Sequence, residues 1–332
     1  MMSDNLVFLD FGSFSVYWFG VFMMLAVLMT ALVFIWLRRI QGAELSSSIS
    51  VVLMCMPAAL VMARIFYCWF GKAFFADKGL FDYIDLTSGG YALYGALAGI
   101  FGVLAIYSKA AGQPLADLLD AAVPGLSLSI AIGRFAGFLS GDDIGFEIHS
   151  ESLVGMPFVL RSESENAWIL WVGFFEGIIA AIMFVFTFVL FLMKYKFRIK
   201  GLNVGDTTLS FMLIYGLSQT MLESMRNDSL FMITLGFVRI SQIISIVMAV
   251  GAIVIVSVQS CRIFRLRAIH VVIWVLMAAA LTAATVCEFK MSANTLTVNY
   301  IIMGLSLRFM LISSLFIMLC NTFRRSRTEK ID

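Results

Sequence analysis

Nine apolar stretches, each close to the length of a bilayer crossing, constrain this chain more than any other feature. They run over approximately residues 16–37, 49–70, 91–108, 121–140, 168–193, 207–225, 236–258, 268–287 and 300–320. A membrane helix needs about 20 apolar residues, because its backbone polar groups must be satisfied within the segment. Composition agrees: 61% of the 332 residues are hydrophobic and 13% are charged, against about a quarter charged in soluble domains. A soluble enzyme, a disordered chain and a disulfide-stapled secreted domain are excluded. With 23 basic against 21 acidic residues, the chain has no field suited to nucleic acid.

The expected fold class is all-α, a polytopic membrane helix bundle. About seven transmembrane helices form a core over 1–260, and two more with a basic tail occupy 261–332. No basic residue precedes the first apolar stretch, so that stretch is expected to be a retained span rather than a cleaved signal. The third and fourth stretches are interrupted by glycines and polar groups, which leaves them tilted or partly re-entrant as alternatives.

Basic residues test the division. Arg38 and Arg39 follow the first stretch, Lys109 the third, and Lys194, Lys196, Arg198 and Lys200 the fifth. Arg262, Arg265 and Arg267 follow the seventh, and Arg324, Arg325, Arg327 and Lys330 the ninth. The alternate loops carry only Lys72, Lys78, Arg161, Arg226 and Lys290. Cytoplasmic loops are enriched in Lys and Arg, so the N-terminus is expected outside and the C-terminus in the cytoplasm. Arg64, Arg134, Arg239 and Arg308 fall within or at the edges of the apolar stretches. A guanidinium at that depth costs a few kcal/mol or more unless it meets protein, water or a headgroup. Function is sought there first. The acidic loop 141–166 reads as a solvated external loop.

In the fourth stretch Gly125, Ser129, Gly133, Gly137 and Gly141 recur every four residues. The stripe fits close helix packing. With Arg134 beside it, it also fits a groove for a phosphate or phospholipid headgroup. In the third, Tyr91 and Tyr94 share a face beside Gly95 and Gly99; they are either an interfacial belt or phenols in a polar pocket. In the sixth, Tyr215, Gln219, Glu223 and Arg226 make one polar face. That face must point into the bundle or a wet cavity, for interhelical bonding or for a ligand. Arg64 with Tyr67, and Arg239 with Gln242 and Ser245, repeat the pattern. Glu176 is a possible counter-ion for these arginines.

Several cations, few acids and many small residues suit an anionic lipid headgroup. The five cysteines show no metal or redox spacing, and the two histidines, His149 and His270, make no His-rich site. No metal and no cofactor are expected.

These motifs, in this order, resemble the prolipoprotein diacylglyceryl transferase family. Its G-R-x-G-N-F-x-N-x-E-x-x-G signature is similar to residues 133–145, where Gly133, Arg134, Phe138 and Gly145 match, Gly141 falls at an unspecified position and Asp142 stands for the glutamate. Gly137 and Ser140 stand where the family has asparagines. Trp18 and Gly20 resemble its W-Y-G, Arg64 and Tyr67 its R-x-G-Y, and Gly89, Gly90, Gly95 and Gly99 the surroundings of its H-G-G-L. Glu176 and Gly177 resemble a further E-G. Tyr215, Gly216, Glu223 and Arg226 resemble Y-G-x-x-R-x-x-x-E-x-x-R, and Gln242 and Ser245 resemble G-Q-x-x-S. The likeness spans roughly 12–258. Tyr94 replaces the family histidine and Gln219 the first arginine of the sixth-stretch motif.

The resemblance implies a bacterial inner-membrane enzyme that moves a diacylglyceryl group from phosphatidylglycerol to the lipobox cysteine of a preprolipoprotein. It implies Arg134 and Arg226 as phosphate ligands, with Arg64 as a further candidate, and Glu223 orienting Arg226. Tyr94 takes the histidine's place and Tyr215 hydrogen-bonds the headgroup. Gly133, Gly137 and Gly141 admit the lipid to the backbone. Tyr67, Asp142, Gln219 and Gln242 complete the substrate site. The alternative is a relative that binds phospholipid or a lipoprotein signal segment without transfer.

Overall fold

The computed structural model describes residues 7–10, 15–70, 90–141, 143–162, 167–227, 239–264, 268–290 and 296–328. Asp142, Gly89, Lys72, Lys78, Glu163, Glu165, Arg265, Arg267 and Lys330, which carried sequence expectations, lie outside the described residues. Among those described there are nine helices: α1 Trp18–Ile40, α2 Leu45–Phe70, α3 Leu93–Ala111, α4 Leu115–Ser140, α5 Val172–Phe191, α6 Asp206–Ser224, α7 Ile240–Phe264, α8 Ala268–Phe289 and α9 Leu296–Thr328. Each corresponds to one apolar stretch of the sequence. The fold is therefore the expected all-α polytopic bundle.

Eight of the nine are long and apolar enough to cross a membrane. The exception is α6, which carries Asp206, Gln219 and Glu223 within 19 residues. It holds its place because fourteen of those residues are buried by protein rather than lipid. One core joins α1 to α6, and a second joins α6 to α7, α8 and α9, so α6 is the wall the two cores share. The outward faces of α1, α2, α8 and α9 are rich in exposed Leu, Ile, Val and Phe, as a lipid-facing surface requires.

Both glycine-interrupted stretches are continuous helices, not re-entrant ones. The glycines of α3 are used for close approach: a Cβ at Gly95 would collide with the Met62 carbonyl, and one at Gly99 would stand 2.5 Å from the Ala58 oxygen. Without a hydrophobic force between helices in lipid, such backbone contact is a main source of association. The stripe on α4 divides. At Gly125 it packs, since Thr30 of α1 donates to the Gly125 carbonyl at 2.9 Å. Ser129, Gly133 and Gly137 instead face a cavity.

No side chain at its N-cap caps α6, because Gly205 stands there with φ +95°. The cap comes from Asp120 on α4. Its carboxylate accepts from Gly205 N at 2.7 Å, Thr208 N at 2.9 Å and Thr208 Oγ1 at 2.7 Å, and from the Tyr195 hydroxyl at 3.1 Å. Orphan amides of a helix start need acceptors, and here tertiary packing supplies one.

Two small sheets lie outside the bundle. Strands β1 Val7–Asp10 and β2 Ser15–Tyr17 pair antiparallel. Strands β3 Ile144–Glu147, β4 Val159–Ser162 and β5 Ala167–Trp171 form a sheet of order β3-β5-β4. Its two outer strands come from the acidic segment 141–166, which the sequence presents as a solvated loop, and its central strand β5 is the start of the fifth apolar stretch, whose helix begins only at Val172. The sheet has its own apolar cluster, in which Ile148, Val159 and Leu170 join Val172 of α5 and Leu222 of α6. It packs onto the ends of α5 and α6, and that placement sets the site.

Candidate active site

Four elements converge at one end of the bundle: the C-terminal turns of α4 and α6, the first turns of α5, and the edge of β3. Gly177 of α5 faces the Phe135 ring, with only 2.9 Å between the ring and the place of a Cβ. That contact sets α5 against α4 at the level where Glu176 meets Arg134. Arg134 Nε lies 2.6 Å from Glu176 Oε2, a close ion pair.

Asp143 is the central anion. Its oxygen Oδ1 accepts from Arg134 Nη1 at 2.6 Å and from Arg226 Nη1 at 2.7 Å. The backbone there is left-handed, φ +63°, a conformation that Asp tolerates better than most residues. It is pinned on both sides. Val172 N donates to the Asp143 carbonyl at 2.9 Å, Gly145 pairs with Arg226, and Asn227 N donates to the Ile144 carbonyl at 2.9 Å. Burial works against the Asp143 carboxylate, but the two guanidiniums outweigh it and hold its pKa below the usual range. The bridge therefore survives acidification through the ordinary carboxylate range and is lost only as the pH falls below it.

The polar face of α6 points inward, as its sequence requires. Gln219 Nε2 donates to Glu176 Oε1 at 2.8 Å and to Glu223 Oε2 at 3.2 Å. It thus holds two carboxylates apart without adding a charge. Arg226 Nη1 lies 3.9 Å from Glu176 and 4.0 Å from Glu223. The Tyr215 hydroxyl is buried beside the Arg134 guanidinium. Two arginines therefore face three carboxylates in a largely dry setting. Such a cluster is maintained by its pairing, and removing one member leaves an uncompensated charge.

Tyr94 and Ser245 share a short hydrogen bond. Ser245 Oγ already donates to the Ser241 carbonyl at 2.7 Å. The phenol is therefore the donor of the pair, and its oxygen remains an acceptor. Tyr94 also lies 6.2 Å, ring to ring, from Tyr215. Arg64 Nη1 donates to the Gly90 carbonyl at 3.2 Å, and its guanidinium sits 5.9 Å over the Tyr67 ring. This pair braces the approach to α3. Gly141 ends α4 in a left-handed turn, φ +74°. Gln242 donates to the Thr220 carbonyl at 3.2 Å and to Glu288 at 3.1 Å. Of the four arginines flagged within apolar stretches, Arg308 is exposed on α9.

The cluster forms one end of a cavity of about 1170 Å³ bounded by α1, α2, α3, α4, α6 and α7. Arg134, Asp143, Gln219, Glu223 and Arg226 line its polar end, with Tyr67, Tyr91, Tyr94, Gly133 and Gly137 along the wall. Phe34, Val51, Leu104 and Ala122 line its apolar depth. From Arg134 to Ala122 the cavity follows α4 for about 18 Å at 1.5 Å per residue. No group of three or more His, Cys, Asp and Glu among the described residues could hold a metal ion.

Sequence reasoning missed Asp143. Two adjacent acids stand in the turn after α4, and the motif frame selects the first. Only the left-handed backbone, set by sheet pairing, turns the second toward both arginines. Arg226, assigned to an outer loop by charge counting, belongs to the cluster.

A membrane bundle with a lipid-sized cavity that ends on paired arginines is the architecture of an enzyme or binder of anionic lipid. Residues 6–258 match the family described as prolipoprotein diacylglyceryl transferase, and the chain belongs to that family. It is similar to phosphatidylglycerol–prolipoprotein diacylglyceryl transferases of Finegoldia magna, 24% identical over 76% of this chain and 94% of the relative, and of Bacillus cereus strain G9842, 27% identical over 76% and 91%.

Proposed function

We propose that this protein transfers a diacylglyceryl group from phosphatidylglycerol to the lipobox cysteine of preprolipoproteins. One observation carries the reading: two guanidiniums converge on a single carboxylate oxygen of Asp143 at the head of a lipid-sized cavity. A phosphodiester oxygen is the same kind of ligand, and Arg forks match it. The donor phosphate meets Arg134 and Arg226 from the cavity side, with Asp143 still between them, and the acyl chains run down the apolar depth. Gly133 and Gly137 leave the α4 backbone bare beside them. Membership of the family and the names of its relatives support the same donor and acceptor.

In the reaction the cysteine thiolate attacks C3 of the diacylglyceryl group. A C–S bond forms as the C–O bond breaks, and glycerol-1-phosphate leaves with the electron pair. The thiol proton ends on the departing phosphate. Arg134 and Arg226 hold the growing charge in place, a task of positioning and electrostatics. Glu176 and Glu223 aim the arginines, and Gln219 spaces the acids. Tyr215 hydrogen-bonds the headgroup. Arg64, Tyr67 and Gln242 support the site in this reading, and Asp142, outside the described residues, belongs to it by the family motif alone. The arrangement of basic loops supports the bacterial cytoplasmic membrane, with the N-terminus and this site on the outer side.

Purified protein, phosphatidylglycerol and a labelled lipobox peptide test the activity by mass spectrometry. The cysteine should gain one diacylglyceryl group; no gain beside an active relative sinks the reading. Tyr94 has its own test. A phenol titrates near 10 in water, so Tyr94 acts as a hydrogen-bonding group rather than a base. Tyr94→Phe should lower kcat/KM about tenfold, the worth of roughly one hydrogen bond. Tyr94→His, which keeps a donor toward Ser245, should stay within a few-fold of wild type. Equal loss in both variants would contradict this role.

A further inference from the structure

The family match ends at residue 258, yet the helices beyond it reach the site. Tyr300 of α9 donates to the carbonyl of Ser224 at 3.0 Å, the last residue of α6. Its ring stacks on Phe146 of β3 at 6.2 Å. Tyr300 thus touches both elements that flank Arg226: the end of α6 before it, and the strand whose Gly145 pairs with it.

Glu288, in the last turn of α8, acts on the other side. It accepts from Gln242 Nε2 at 3.1 Å. Gln242 in turn donates to the Thr220 carbonyl and accepts from Arg239 N at 3.3 Å. The Arg239 guanidinium, attracted by Glu223 and then by Glu288, hydrogen-bonds the Arg226 carbonyl. At the far end of α6, Arg325 of α9 lies 3.8 Å from Asp206. One turn before the end of α6 Met221 lies against Gly304, and between the two ends Leu209, Leu213 and Leu217 share an apolar cluster with α8 and α9. The α8–α9 hairpin therefore holds α6 along its whole length and holds the Arg226 backbone from two directions.

We propose that Tyr300 and Glu288 are positioning residues for Arg226, so that the C-terminal hairpin is part of the phosphate site's support. The proposal rests on the reading of Arg226 as a phosphate ligand. A carbonyl released by Tyr300→Phe lets the end of α6 drift, and the guanidinium no longer meets the phosphate in register. Arg226 holds the phosphate already in the ground state, so most of the loss appears in KM, with a smaller loss in kcat from the charge that grows in the transition state.

The test uses the full chain in phosphatidylglycerol micelles. Tyr300→Phe and Glu288→Met should each raise KM for phosphatidylglycerol about five- to tenfold with kcat changed less, the scale of one lost supporting hydrogen bond. In an Arg226→Lys background the same substitutions should add less than twofold, because residues acting through one group are not additive. Wild-type KM in both single variants, or equal effects in the two backgrounds, overturns the proposal. Glu288→Met decides alone if Tyr300→Phe yields no folded protein. Arg226→Ala with wild-type KM would instead overturn the phosphate assignment itself, whatever the hairpin variants do.

Discussion

Arg134→Lys should leave the protein inserted and folded but lower kcat/KM for diacylglyceryl transfer at least about a hundredfold. The lysine keeps a positive charge between Asp143 and Glu176, so the buried acids stay compensated. It lacks the planar fork that lets Arg134 reach Asp143 Oδ1 through Nη1 and Glu176 Oε2 through Nε at once. Losing one preorganised donor to a developing oxyanion typically costs 10²–10³ in rate, about 3–4 kcal/mol. Arg134→Ala should abolish transfer, and it should also lower thermal stability, because it strips one cationic partner from each of two buried carboxylates and leaves Arg226 and Gln219 to hold them. The comparison separates the roles: charge maintains the cluster, and fork geometry serves the phosphate. Initial rates with labelled peptide, beside melting curves in detergent, check both. Full activity in Arg134→Lys would mean that phosphate is held elsewhere.

Asp120→Ala should be the most destabilising single change away from the site. Asp120 is fully buried. Its carboxylate serves Gly205 N, Thr208 N and Thr208 Oγ1 at the start of α6, and Tyr195 as well. Alanine leaves Gly205 N, Thr208 N and Thr208 Oγ1 without this acceptor, whereas Tyr195 keeps Asp117 Oδ1 at 2.7 Å. At about 1–3 kcal/mol for each buried unsatisfied group, with partial relief from water, the net loss is about 3 kcal/mol. Asp120→Asn keeps one acceptor oxygen and should lose about half as much. Because α6 also carries Gln219 and Glu223, the alanine variant should lose activity as a consequence of stability. Low-temperature assays should restore part of it. An unchanged melting temperature in Asp120→Ala would show that α6 needs no tertiary cap.

The two variants probe different levels of the same helix pair. Asp120 fixes where α6 begins, and Arg134 meets what α6 delivers at its other end, Glu223 and then Arg226. The sequence anticipates the second half of this arrangement. Tyr215, Gln219, Glu223 and Arg226 fall on one face by spacing alone, and membrane energetics forbids that face to lipid. It does not anticipate the first half, since Asp120 and Thr208 are 88 residues apart and no local pattern joins them.

The sequence by itself determined the class of the fold, the nine helices, their alternating basic ends and the polar face of α6. These are local or periodic properties, decided by transfer cost and helical spacing within a single segment. The segment 141–166 was illegible for the opposite reason. Its acids read as solvated because only strand pairing with α5 and α6 turns Asp143 inward, into a left-handed backbone that no composition signals. The same holds for the division of the α4 stripe into packing at Gly125 and cavity wall at Ser129, Gly133 and Gly137. One regular spacing meets α1 at one level and open space at the next. Tertiary structure alone decided which acid meets the arginines, and that α8 and α9 support α6, because both depend on what stands across from a residue rather than beside it.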